Sequence, residues 1–556
     1  MSRSEGRMSE EFLKACKELE EAQTLWSEVP DHLLRLVSDE VTVQDVERIL
    51  SVDSETLGPI AALWAAYAAI LKIAQDTRSG KRKDEEDVSD TLTEIADRIT
   101  TVIMPVCAGA SLSDDKTNYE VLQRKAHVGL AALEQVAKML PIGLIQLPAS
   151  SLLRVTAFTN PADPWTNPES FALSRTLLLP LQGEKQREKR TKLIVDEILT
   201  NFLRPLFSKS RPAAVTASGR KAEYVEPSRY DNVDQESSET KPWKYVHRYA
   251  ITVFAWAVRQ ADEILLQQHW PLYTPVLLTL LDESQPTSLK VGALGILRDF
   301  WARCPAGLMQ NTGLADIFEQ AVFPALLYLP SLTPEDESLE ILGAAYPVLI
   351  EMAGLTVDYP YPDPGIGVGS STSAMGEQKQ PKQHLTEPQR KLLDKIIREG
   401  IMVGYHHAKE HIRIVNLLCD TLVCVVNGMG ILAVKYLKDF MPMVSEIMTS
   451  PFGTKHPPTL RSATNLLQAV LRTCWPRIPH YRNDIVKMLM LCWLNIEDEE
   501  SLSPDSPTAK ELISGLANAA DMLYAVTKAA HVDLSECVNP LVEKEPQLTN
   551  LFKSIS

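Results

Sequence analysis

Residues 277–297 read LLTLLDESQPTSLKVGALGIL. An apolar run ends in two carboxylates, Asp282 and Glu283, breaks at Pro286, and resumes with Lys290, Gly292 and Gly295. Two readings compete for this stretch. The first takes KVGALG as a phosphate-binding loop, with the two acids poised for a metal. That loop needs a strand before it and the order G-x-x-x-x-G-K-[ST], and the stretch has neither. The second reading is a helix ending at the acids, a turn at Pro286, and a second helix. Gly292 and Gly295 then lie three apart on one side of the second helix. There they are expected to let two helix backbones approach closely, offsetting a propensity cost of ~1 kcal/mol each. The stretch is a building block, not a catalytic loop.

The block recurs. WPLYTPVLLTLLDE, SQPT and SLKVGALGILRDFWARC start at Trp270, and LADIFEQAVFPALLYLP, SLTPEDE and SLEILGAAYPVLIEMAG start at Leu314, 44 residues later. A third pair begins near Ile431, with ILAVKYLKDFMPMVSEIM, TSPFGTKHPP and TLRSATNLLQAVLRTCW. The spacing fits the ~40–47 residue period of HEAT or armadillo pairs. Each first helix contains a Pro (Pro275, Pro324, Pro442), which removes a backbone donor and bends the helix. Helical periodicity runs through most of the chain, and strand alternation bounded by hairpin turns is absent. The predicted fold class is all-α, an α-solenoid of HEAT/armadillo-like helix pairs with disordered insertions. Its expected divisions are a helical region 1–75, helical repeats 91–207, a disordered linker 208–241, HEAT-like repeats 242–356, a disordered loop 357–389 and C-terminal repeats 390–556. A further charged linker, DTRSGKRKDEEDVSD, covers Asp76 to Asp90.

Composition narrows the function classes. Of the 556 residues 45% are hydrophobic and 23% charged, a globular balance. The formal net charge of -16 argues against a broad nucleic-acid surface, which needs clustered Lys and Arg. The densest basic run, KQREKR at Lys185 to Arg190, reads as the solvated face of a helix. Eight scattered Cys form no C-x-x-C pair, and Cys419 and Cys424 share an apolar helical run, so buried thiols in a reducing compartment are expected. The opening MSRSEGRMSEEF has no apolar core of a secretory signal. Leu57 to Leu71, LGPIAALWAAYAAIL, is short of the ~20 residues of a membrane span and reads as a buried helix.

Other candidates for chemistry are weak. GIGVGS at Gly365 to Ser370 lacks the flanking strand and helix of a nucleotide site and reads as a flexible loop. His407 and His411 have the i, i+4 spacing of metal ligands but no third ligand, and read as a polar helix face. Thr333-Pro334-Glu335-Asp336 reads as a helix start with Thr333 as N-cap. Ser237 and Ser238 sit in acidic sequence suited to acid-directed kinases. No catalytic residues, metal or cofactor are expected. The remaining candidate is TCWPRIPHY, Thr473 to Tyr481. Either Trp475 plugs the core between repeats while Pro476 stops the helix, or Trp475, Pro476, Arg477 and Ile478 anchor a partner. Trp and Arg are the types enriched at interface hot spots.

Four features in order, LTLLD, Lys290-Val291-Gly292, YLPSLTPE and CWPRI, lie within roughly Pro242 to Asp498. Their order and spacing resemble the family of Tel-two-interacting protein two, the smallest subunit of the TTT co-chaperone complex. The resemblance implies an all-helical scaffold that is not an enzyme. It implies direct binding to the large solenoid subunit of TTT and contact with the Tel-two subunit through that subunit. Indirect partners would be the phosphatidylinositol 3-kinase-related kinase clients, the ninety-kilodalton heat-shock chaperone and the RuvB-like ATPase adaptor. The expected setting is cytoplasm and nucleus, in TOR signalling and the DNA damage response, with no nucleic acid and no membrane as partner. The alternative is a karyopherin-like or other HEAT-repeat adaptor, for which ladders of Asn and Trp on second helices would be expected; the sequence shows none.

Overall fold

The computed structural model describes residues 9–22, 29–51, 57–78, 88–108, 116–140, 147–210, 237–305, 307–356, 385–499 and 506–554. Among them every regular element is a helix. The chain forms two compact units. The first takes residues up to Thr279 together with 302–312, and the second takes 280–301 and most of the chain from Gly313 onward.

The first unit holds α1 (Glu10–Glu21), α2 (Pro59–Arg78), α3 (Val88–Ile103), α4 (Tyr119–Met139) and α5 (Pro168–Leu178); α1 packs on α2, and α4 packs on α2, α3 and α5. The apolar run at 57–71 lies in α2, where Ile60 to Ile70 are buried throughout. Helix ends here are closed by side chains from other helices, as their orphan backbone groups require. Glu20 accepts from the Ile60 N–H at 3.3 Å, and Arg124 Nη2 donates to the carbonyls of Leu19, Glu20 and Ala22 at 3.0, 2.9 and 2.6 Å. Gly129 of α4 admits α3 so closely that a Cβ would collide with Ile103. The unit continues through α6 (Tyr249–Gln260) into α7 (Glu263–Asp282), which contains Pro271 and Pro275.

The opening stretch is a helix pair. Asp282 ends α7, and Thr287 starts α8 (Thr287–Arg303). Lys290 is 5% exposed, and its Nζ donates to the Leu281 carbonyl, so the second helix closes the C-terminus of the first. Burial lowers the Lys290 pKa, against the pull of Asp282 and Glu283. The two glycines depart from expectation. A Cβ at Gly292 or Gly295 meets nothing within 4 Å, so neither admits a neighbouring backbone. The buried face of α8 is Ala293, Leu294, Ile296, Leu297 and Phe300, and the glycines lie off it.

In the second unit the pairs stack. The elements are α9 (Leu314–Val322), α10 (Glu335–Met352), α11 (Glu387–Lys395), α12 (Ile412–Met429), α13 (Leu437–Met448), α14 (Pro457–Thr473), α15 (Arg482–Glu497) and α16 (Pro507–Ala529). Second helices α8, α10, α12, α14 and α16 are tied in that order by side-chain bonds. Thr287 Oγ1 donates to Glu337 at 2.5 Å, and Arg298 holds Glu351 through contacts of 2.6 to 3.0 Å. His411 Nδ1 lies 3.0 Å from Glu335, and Arg413 pairs with Glu335 and Asp336 at 2.9 and 2.7 Å. Thr459 donates to the Ile412 carbonyl at 3.3 Å and Ser462 to Asn416 Oδ1 at 3.0 Å. Gln468 reaches the Gly515 carbonyl at 2.9 Å, and Arg461 pairs with Glu511 at 3.3 Å. The ties join helix starts to helix starts or advance in the same direction along both helices, so these helices run parallel, as stacked HEAT-like pairs require. A pair from Glu387 to Met429 stands between the second and third pairs read from the sequence.

Prolines shape the first helices by removing donors. After Val322 the chain tightens into a 3-10 turn at Phe323–Leu327, with Pro324 near its start, and Pro442 lies inside α13. The helix at Glu335 is capped one residue later than expected. Pro334 is the N-cap, and Thr333 sits outside the helix with its N–H on the Leu329 carbonyl. Among the described residues one stretch, Ile412–Met448, is long and apolar enough to cross a membrane by length and composition alone. It is broken at Gly430, where φ is 56°, and half of its most apolar window is buried. All eight Cys are free thiols, and Cys419 is buried. GIGVGS and most of the expected linkers at 76–90, 208–241 and 357–389 lie outside the described residues. Ser237 is described, in a turn where its Oγ lies 3.0 Å from Thr240 Oγ1.

Candidate functional site

α14 ends at Thr473 because Pro476 and Pro479 remove two backbone donors in quick succession. The chain passes through Cys474 into a 3-10 segment, Trp475–Tyr481, and only then enters α15. The Arg477 N–H bonds the Cys474 carbonyl at 3.1 Å, and Arg482 Nη1 bonds the Pro479 carbonyl at 3.1 Å, so the segment is held at both ends. Cys474 is buried, and burial raises its pKa.

This geometry sorts the four predicted residues. Trp475 is 57% exposed, so it does not plug the core between repeats; Pro476 and Arg477 are exposed beside it. Ile478 is fully buried and belongs to the core rather than to a contact surface. A regular 3-10 segment brings every third residue to the same side, yet here Ile478 is seated in the core while Trp475 stays out. Arg477 makes no ion pair among the described residues. Sequence reasoning missed the matching segment one repeat earlier, Gly430–Tyr436. It is another seven-residue 3-10 segment ending in Tyr, with Ala433 buried at the Ile478 place and Ile431 and Leu432 exposed (52% and 36%). A Gly following a long apolar helix, as at Gly430, was the available signal.

The other candidates do not assemble into a site. The helix carrying His407 stops at Ala408, and His411 begins the next turn, where it faces Glu335. The two imidazoles are therefore not on one helix face. Among the described residues no three His, Cys, Asp or Glu side chains gather to hold a metal. Two surface hollows measure about 200 and 270 Å³, below the ~300–1,000 Å³ of small-molecule sites. The first is lined mainly by Leu140, Leu147, Leu152, Leu177 and Leu181. In the second, the charged Arg461 and Glu511 are already paired with each other.

Among solved structures the chain is similar to a Kap121p mutant (11% identity, TM-score 0.42, covering 98% of this chain and 51% of that one). It is similar also to Kap121p itself (11% identity, TM-score 0.33, covering 93% and 48%). The chain thus spans about half the length of the solved proteins it matches. No curated protein matches it. A family model does match, over residues 151–455, more than half of the chain and including LTLLD, Lys290-Val291-Gly292 and YLPSLTPE. With its helix pairs and family match together, the chain belongs to the Tti2 family.

Proposed function

We infer that this chain is a non-enzymatic scaffold, the small subunit of a TTT-type co-chaperone complex. It binds the large solenoid subunit directly and the Tel-two subunit through it. In that assembly it supports the maturation and stability of phosphatidylinositol 3-kinase-related kinases with the heat-shock chaperone system, in cytoplasm and nucleus, and so serves TOR signalling and the DNA damage response. Family membership supports this reading. The single structural observation that carries it is Trp475, a large aromatic held half out of the fold beside Arg477, which makes no ion pair among the described residues. A buried anchor is worth most when desolvated by a partner, and Trp and Arg dominate such anchors.

The test is a pull-down of the full chain from native lysate with mass spectrometry, paired with depletion in cells. The expected result is recovery of a large helical-repeat subunit, and lower client kinase protein at unchanged transcript levels. Client levels that hold steady after depletion would refute the reading.

A further inference from the structure

α12 and α14 run parallel with a fixed offset. Thr459 meets Ile412 and Ser462 meets Asn416, 47 and 46 residues apart. The same offset carries Gly430 and Ile431 to Pro476 and Arg477, so the ends of the two helices lie side by side. Both following 3-10 segments pack on α14. One edge of the second unit therefore presents Ile431, Leu432 and Trp475 as exposed apolar side chains from adjacent repeats.

The two segments and the helix turns next to them in sequence are basic, in contrast to the chain. Residues 428–440 and 472–487 hold six Lys and Arg against two Asp, in a chain of net charge -16. Lys435 is paired with Asp394 at 2.7 Å. Lys438, Arg472, Arg477 and Lys487 are exposed and make no ion pair among the described residues. Exposed apolar side chains, with neighbouring cations in sequence that make no ion pair among the described residues, call for apolar groups accompanied by carboxylates. The spacing selects their backbone. Packed helices lie ~8–10 Å apart, so the apolar tips repeat at about that distance. A helix rises 1.5 Å per residue, and seven residues span ~10.5 Å on one face. That lies just above the upper end of the range, whereas a strand returns to the same face at ~6.8 Å, which falls further short, and at ~13.6 Å, which overshoots.

We propose that the edge formed by Ile431, Leu432, Trp475 and Arg477 docks an acidic amphipathic helix of a partner protein, with apolar residues seven apart. This rests on the scaffold reading and specifies what the scaffold grips. Photo-crosslinking residues placed singly at Ile431 and Trp475 of the full chain in cells, with the crosslinked peptides sequenced, test it. Both sites should mark one partner helix at positions about seven residues apart, with Asp or Glu alongside. Arg477→Glu should lower partner recovery by about thirtyfold at an unchanged melting temperature, and a partner carboxylate exchanged for Lys should restore it. Crosslinks to unrelated segments, to a basic helix or to a second copy of this chain overturn the proposal. So does an absence of crosslinks while a solenoid subunit is still recovered, and in that case the scaffold reading stands. Recovery of no solenoid subunit overturns both.

Discussion

Replacing Trp475 by Ala separates the two roles its sequence allows. A fully buried Trp costs ~3–5 kcal/mol of folding stability on truncation to Ala. Trp475 is 57% exposed, so a little under half of its surface is covered. Scaled by that fraction, the folding cost falls to about 1–2 kcal/mol. As a partner anchor it acts through the part now facing solvent, and truncation costs at least ~2 kcal/mol of binding, roughly thirtyfold in Kd. The variant is therefore expected to express, fold and melt close to the parent while losing the large subunit. Denaturant unfolding gives the first quantity, and titration of the purified partner against immobilised chain gives the second. A folding loss of 3 kcal/mol or more with unchanged partner affinity would place Trp475 in the core and sink the argument.

Gly292→Ala and Gly295→Ala should each stabilise the chain by about 0.5–1 kcal/mol, since the new methyl meets open space and helix propensity improves. Gly129→Ala is the contrast and should cost ~1–3 kcal/mol against Ile103; a rise in denaturant midpoint at Gly129 would contradict its close packing, and a fall at Gly292 or Gly295 would contradict the open space around them. Lys290→Met removes the donor on the Leu281 carbonyl and should cost ~1–3 kcal/mol, read by the same unfolding curves. Asp163 gives a pH signature. Burial raises its carboxyl to about 7 from 3.8, against hydrogen bonds from Thr252 and Asn160 and the nearby Arg259. The folded chain therefore holds an extra proton between these values, and the stability it contributes, full below pH ~4, is lost as pH rises through 7. Relative to Asp163→Asn, the parent should lose about 2 kcal/mol from pH 5 to pH 7; parallel stability curves for the two would refute this.

Much of the fold is legible because helix pairs are local. The Pro286 turn, the interrupted first helices and the 44-residue recurrence can be read without knowing any distant contact. The lateral ties cannot, because Ser462 on Asn416 or Gln468 on Gly515 are pairings of ordinary polar residues about 46 apart with no shared motif. Gly292 and Gly295 share a helix side, but Leu294, Leu297 and Phe300 mark another side as the packed one, and that pattern was present in the sequence. The candidate site was half legible. Residue type pointed to Trp475 and Arg477, while its burial depended on where a double-proline turn leaves the chain, which no periodicity reports.

The motifs that carry the resemblance divide by what they do inside the fold. In the first, Lys290 closes a helix end and the leucines of LTLLD fill the core. In YLPSLTPE, Leu329 is buried and Pro334 starts α10. In CWPRI, Cys474 and Ile478 are buried. Each of these residues would be needed for the helix pairs alone. Trp475 and Arg477 are different, because removing them leaves the joints, caps and core of the second unit in place. Neither the exposed part of Trp475 nor the Arg477 guanidinium, which makes no ion pair among the described residues, adds to the stack. Stacking consumes the faces of the second helices through the ties between repeats, but it leaves the ends of the pairs free. On the scaffold reading those ends are what the chain has to offer a partner, and at this edge it places side chains that its own fold uses only in part.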